Sequence, residues 1–213
     1  RKTMHTNPIQ RRIIVTAGGA IALCGLAFGA VGCSASDNAT GSSSSASAPA
    51  STHNDADVTF NSMMIPHHQQ AVEMSEILLA KDNIPAEVIE FAQGVIDAQG
   101  PEIDRMNTML ETWEEDPVTG DMGDMGEMDH GGMSGMMSEE DMGMLNDAQG
   151  TDAARLYLEQ MTVHHEGAVE MARDQVEQGQ NPQAVELARQ VVEDQEAEIT
   201  EMEQMLQGLP DGS

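Results

Sequence analysis

From Val58 onward, apolar residues recur at helical spacing. Met64, Ala71, Met74 and Leu78, with His67 in the same series, alternate by three and four, and Val72, Ile77 and Leu79 widen the stripe. That is the pattern of a helix with one face turned to a core. Proline is tolerated only in a first turn or at a kink, so Pro66 predicts a helix that begins near Met64 or bends just before the histidines. Asn83-Ile84-Pro85 reads as a turn, with Pro85 suited to the first helical position. A second stripe then runs through Val88, Phe91, Ala92, Val95, Ile96, Ile103, Met106, Met109 and Leu110 to Trp113, with a kink predicted at Gly100-Pro101.

The pattern then repeats. Tyr157 to Gln178 carries a similar stripe, Gly179 to Pro182 a turn, and Ala184 to Gln207 a partner stripe. The match is also one of residue identity. Met64-Ile65-Pro66-His67-His68-Gln69-Gln70-Ala71-Val72-Glu73-Met74 returns 97 residues later as Met161-Thr162-Val163-His164-His165-Glu166-Gly167-Ala168-Val169-Glu170-Met171, with seven of eleven positions identical. Past the turns, Val95-Ile96 matches Val191-Val192, Gln99 matches Gln195, Glu102-Ile103 matches Glu198-Ile199, and Met106, Met109 and Leu110 match Met202, Met205 and Leu206. A helical hairpin cannot bury its stripe alone, whereas two together make a four-helix bundle. The expected domain spans residues 56–207, with halves 57–113 and 151–207 joined by a Met/Gly-rich loop, 114–137. A short helix, 138–147, is expected to open at Ser138 as an N-cap before Glu139-Glu140-Asp141, and 208–213 form a tail.

The N-terminus has the pattern of an export signal. Residues 1–32 place Lys2, Arg11 and Arg12 before an apolar run, Ile13 to Gly29, and Ala30-Val31-Gly32-Cys33 fits a lipoprotein cleavage site with Cys33 as the lipidated residue; simple secretion and an uncleaved anchor are the alternatives. Residues 33–55, rich in Ser and Ala, read as a flexible tether to a membrane. The other cysteine, Cys24, lies in the signal region, so disulfides, thiolate sites and cysteine catalysis are excluded from the domain. After Cys33 there are 37 acidic residues against five basic ones, a formal charge of −32. Such a field repels nucleic acid and concentrates cations.

The candidate chemistry lies in the two histidine pairs. Thioether with imidazole suits copper, Cu(I) above all, with Cu(II) admissible and zinc or iron less suited. The candidate ligands are Met64, His67, His68, Met74, Met161, His164, His165 and Met171. Adjacent residues on a helix point about 100° apart, so the two histidines of a pair are expected to make different contacts. Ala71, Gly167 and Ala168 would let the two histidine helices approach closely. Glu73, Glu170, Glu102 and Glu198 match between halves and are candidates for orienting imidazole N–H groups. In the loop, Met122, Met125, Met128, Met133, Met136 and Met137, with His130 among them, form a candidate capture arm for the metal; Met106, Met109, Met202 and Met205 fall within apolar stripes and read as core.

At Phe60 to Met74, and again from Gly135 through Met171, the chain resembles the bacterial family known as domain of unknown function 305. The resemblance implies a ferritin-like all-α fold and, from members linked to copper binding and copper tolerance outside the cytoplasm, a metal role for the paired histidines and their methionines. Val163 stands where the family often carries proline. The expected function is sequestration or hand-on of copper by a membrane-anchored envelope protein, possible partners being the ion and a copper-delivery protein. The alternatives are a ferritin-like redox enzyme, which predicts bound iron, and a metal-free envelope interaction module. Glu127-Met128-Asp129-His130 is the sole Glu-x-x-His and lies in the glycine-rich loop, so no catalytic constellation is expected.

Overall fold

The computed structural model describes residues 52–116 and 134–210. Cys33, Met122, Met125, Met128, His130 and Met133 lie outside the described residues. Five helices follow in order: α1 Asp55–Leu79, α2 Ala86–Trp113, α3 Glu139–Asp147, α4 Gly150–Gln178 and α5 Pro182–Gly208, with no strand among the described residues. None of these helices is long and apolar enough to cross a membrane.

Local chemistry sets the helix ends. Asn54 and Asp57 form a capping box on α1, Ser138 and Asp141 another on α3, and Asn181 caps α5 by accepting from the backbone of Gln183 and Ala184, with Pro182 following. Two boundaries differ from those expected. The first helix starts at Asp55 and runs through Pro66, because its capping box and the burial of Asp57, Phe60 and Asn61 hold three turns ahead of the proline. The second histidine helix starts at Gly150, about two turns before Tyr157, since Ala153 and Ala154 are buried in the core. α2 likewise runs on through Gly100-Pro101, the position of the expected kink.

α1 packs on α2 and α4 on α5, and the two hairpins meet mainly through α1 and α4, with α3 laid across that pair. The apolar core is divided. One half-core gathers Ala71, Met74, Leu78, Val88, Phe91, Val95, Leu158, Met161 and Met202, and the other Phe60, Met64, Met106, Leu110, Trp113, Ala168, Leu187 and Val191. Burying a side chain such as Leu78 or Leu158, both fully enclosed, contributes about 1.5–3 kcal/mol. In every long helix the residues between the two half-cores are polar: His67 and His68 on α1, Gln99 and Glu102 on α2, His164 and His165 on α4, Gln195 and Glu198 on α5. A polar layer thus crosses the middle of the bundle.

Candidate metal centre

All four histidines are at most 1 % exposed. The pseudo-twofold arrangement of the hairpins brings His67 and His164 face to face, ring centroids 3.8 Å apart at 41°, while His164 and His165 rings are 6.3 Å apart. Neighbours within each pair diverge, as helix geometry demands. His68 Nε2 meets Glu102 Oε2 at 2.9 Å on α2, and His165 Nε2 meets Glu198 Oε2 at 2.8 Å on α5. Glu73 and Glu170 face solvent; Glu170 accepts from the Ser134 hydroxyl at 2.7 Å.

The methionines flank this layer. Met64 lies in one half-core with Met171 at its edge, and Met161 in the other with Met74. Each half-core therefore presents one methionine from α1 and one from α4. Met171 is half-buried and lines a surface groove with Met63 and Asp174. Met106 and Met202 are fully buried one turn beyond Glu102 and Glu198. Among the described residues no three His, Asp or Glu side chains already converge as an ion site, so thioether sulfur or ring movement has to complete any coordination shell.

The layer is short of hydrogen bonds. Nδ1 of His67, His68 and His165, both ring nitrogens of His164, both amide atoms of Gln99 and the amide oxygen of Gln195 are buried without a partner of normal geometry. Native interiors seldom leave so many polar atoms orphaned together, and a soft cation that uses nitrogen lone pairs fits the deficit. Gln99 and Gln195 were visible in the sequence only as matched positions; their burial one turn before the glutamates is what assigns them to the layer.

Burial disfavours charge here. Desolvation, aided by the neighbouring His68, lowers the His67 pKa to about 3 despite its bond to the Ser134 carbonyl. His164 is pushed well below the ordinary histidine range by burial and by His67 and the other two histidines, and the nearby His67 carbonyl offsets only part of this. The unfolded chain then gains protons below about pH 6.5 that the folded chain refuses, so folded stability is lost as pH falls through that window, by up to about 1.4 kcal/mol per pH unit for each histidine. The melting temperature of the metal-free chain should fall between pH 7 and pH 5, before most carboxylates titrate. A flat profile over that range would contradict neutral burial.

A strap closes one side of the site. Ser134 to Ser138, which includes the half-buried Met136 and Met137, runs from the end of the connecting loop into α3. His67 Nε2 donates to the Ser134 carbonyl at 3.1 Å, and Gln70 holds Met137 twice, accepting from its backbone N–H at 2.7 Å and donating to its carbonyl at 2.9 Å. The duplication breaks at this point: Gln70 on α1 grips the strap, whereas its counterpart Gly167 on α4 makes room for it. A Cβ on Gly167 would lie 2.0 Å from Ser134 O, and one on Gly135, whose φ is +80°, would lie 2.6 Å from Val163 O. The close approach that Gly167 permits is to the strap, not to α1 as the sequence suggested.

The bundle and its central layer define a duplicated four-helix protein with a buried histidine–methionine centre. Residues 57–206 match the family described as Domain of unknown function (DUF305), and the chain belongs to that family. Among solved structures, a candidate secreted DUF305 protein of Streptomyces coelicolor is 36% identical, with a TM-score of 0.64 over 74% of this chain and 97% of that one. A DUF305 fragment from Deinococcus radiodurans is 30% identical, with a TM-score of 0.63 over 73% and 98%. CopM in its Cu(II)-bound form is 33% identical, with a TM-score of 0.60 over 71% and 96%, and CopM has also been solved in Cu(I)-bound and Ag-bound forms. No curated protein sequence matches this chain.

Proposed function

We propose that this chain binds copper, mainly Cu(I), outside the cytoplasm, and that it sequesters the ion or hands it on to a delivery protein while anchored to the membrane through Cys33. The observation that carries the reading is the polar layer: four buried histidines with unpartnered nitrogens, bordered by buried methionines. Support comes from CopM, whose similarly folded structures hold Cu(II), Cu(I) and Ag. The residues to hold the ion are His67 and His164 at the centre, His68 and His165 beside them, and Met64, Met171, Met161 and Met74 from the flanking half-cores. A bound soft cation would use the nitrogen lone pairs that the metal-free fold leaves idle. Glu102 and Glu198 orient imidazoles, and the strap with both half-cores keeps water from the site. The formal charge of −32 beyond Cys33 raises the local concentration of cations. The role is binding rather than catalysis, since no nucleophile elbow, phosphate loop or di-iron carboxylate pattern accompanies the histidines in the sequence.

Titration of Cu(I) against a calibrated competitor tests this. Replacing His67, His68, His164 and His165 by alanine should weaken binding by more than the tenfold to hundredfold loss, roughly, that follows removal of an outer contact to a ligand. Undiminished affinity would remove the helices from the site and leave the loop methionines Met122, Met125, Met128 and Met133 to account for any binding.

A further inference from the structure

Three of the four buried imidazoles meet partners that can only accept a hydrogen bond. His67 Nε2 meets the carbonyl oxygen of Ser134, His68 Nε2 a carboxylate oxygen of Glu102, and His165 Nε2 a carboxylate oxygen of Glu198, at 3.1, 2.9 and 2.8 Å. A carbonyl or carboxylate oxygen has no proton to give, so each bond requires the hydrogen on Nε2. The other nitrogen, Nδ1, is buried and unpartnered in all three rings. A second proton there would be a buried donor with no acceptor, so the hydrogen-bond geometry places the lone pair on Nδ1 in each ring.

We infer that Ser134, Glu102 and Glu198 act as positioning residues that lock His67, His68 and His165 as Nε2–H tautomers, so that these histidines ligate a soft metal through Nδ1. The inference rests on the copper reading and specifies the ligating atoms within it. Nδ1 is the ring nitrogen nearer the main chain. An ion held there would lie close to the helix that carries the histidine, so Met64, one turn before His67 on α1, would be its sulfur donor. The device also separates the two central histidines. The single connecting loop supplies one strap, so His67 is locked by Ser134 O, whereas both ring nitrogens of its twofold mate His164 lack a hydrogen bond of normal geometry, the His67 carbonyl being only nearby. Glu102 and Glu198 are only 17% and 23% exposed and sit at the edge of the layer, each presenting an oxygen inward.

Long-range proton–nitrogen correlation NMR of the isotope-labelled full chain reads the tautomers without metal. The expected spectrum has protonated Nε2 and lone-pair Nδ1 at His67, His68 and His165. Protonated Nδ1 at any of the three overturns the assignment for that ring. Adding Ag(I), a diamagnetic soft ion, should then shift the Nδ1 signals and leave Nε2 protonated. A shift at Nε2 with loss of its proton overturns Nδ1 ligation. Absence of any Ag(I) effect on a spectrum with the expected tautomers overturns the ligation and the copper reading together, leaving the tautomers standing. The double variant E102Q/E198Q keeps an acceptor oxygen and should retain the Nδ1 pattern and near-native Ag(I) affinity. E102L/E198L should lose the fixed tautomers of His68 and His165 and bind roughly ten to a hundredfold more weakly. Equal behaviour of the two double variants would show that the carboxylates do not position the rings.

Discussion

Replacing Asp57 by alanine is expected to lower the melting temperature of the chain by on the order of 10 °C. Asp57 is fully buried in the first turn of α1 and accepts from four donors: Asn54 N at 2.9 Å, Gln175 Nε2 at 2.6 Å, Asn181 N at 3.0 Å and Gln180 N at 3.2 Å. One carboxylate therefore caps its own helix and ties it to the end of α4 and to the α4–α5 turn, across more than a hundred residues of chain. Alanine would leave these donors without an acceptor, those of Gln175 and Asn181 in buried positions. Each buried orphan costs about 1–3 kcal/mol, and cavities and water entry reduce the sum, so a net loss of about 3–5 kcal/mol is expected. For a chain of this size that corresponds to roughly 2–4 °C per kcal/mol. Asp57→Asn keeps one acceptor oxygen but turns an N–H₂ toward donors, and should fall between the two. A melting temperature for Asp57→Ala within about 2 °C of the parent chain would mean that the turn finds other acceptors.

This staple shows where sequence reading succeeded and where it could not. The four long helices, the duplication and the membership of the histidines in the bundle were legible because apolar period and repeated identity are local properties of the chain. Ser138 as an N-cap was legible for the same reason. Asp57 was not, since three of its four donors lie about 120 residues away and its repeat counterpart is Ala154. The start of α1 was not decidable from sequence, because Pro66 is compatible with either a helix start or a bend, and the core contacts that carry the helix through it are tertiary. The role of Gly167 was visible only as a small residue; its purpose appears when the strap is found lying on it. The division of the core was present in the order of residues, since each stripe passes through Gln or His near its middle. It becomes interpretable only when the antiparallel pairing aligns the four interruptions.

Replacing His164 by leucine is expected to stabilise the metal-free chain while weakening its hold on copper. Both ring nitrogens of His164 are buried without a hydrogen bond of normal geometry, and burial holds its pKa well below the ordinary range. Leucine has similar bulk and no polar atom to desolvate, so the metal-free fold should gain about 1–3 kcal/mol, or several degrees in melting temperature. His67→Leu gives a contrast. It also removes an unpartnered Nδ1, but it strips the Ser134 carbonyl of its donor and loosens the strap, so its net effect should be near zero or destabilising. Metal should invert the ranking. At a free ion concentration a hundredfold above Kd, binding stabilises the folded state by about 2.7 kcal/mol, a gain that a variant with a damaged site forgoes. His164→Leu should therefore melt above the parent without metal and at or below it in saturating Cu(I). A variant that melts below the parent in both conditions would show that His164 is satisfied in the metal-free fold, and the case for a centre kept short of hydrogen bonds to receive a cation would fail.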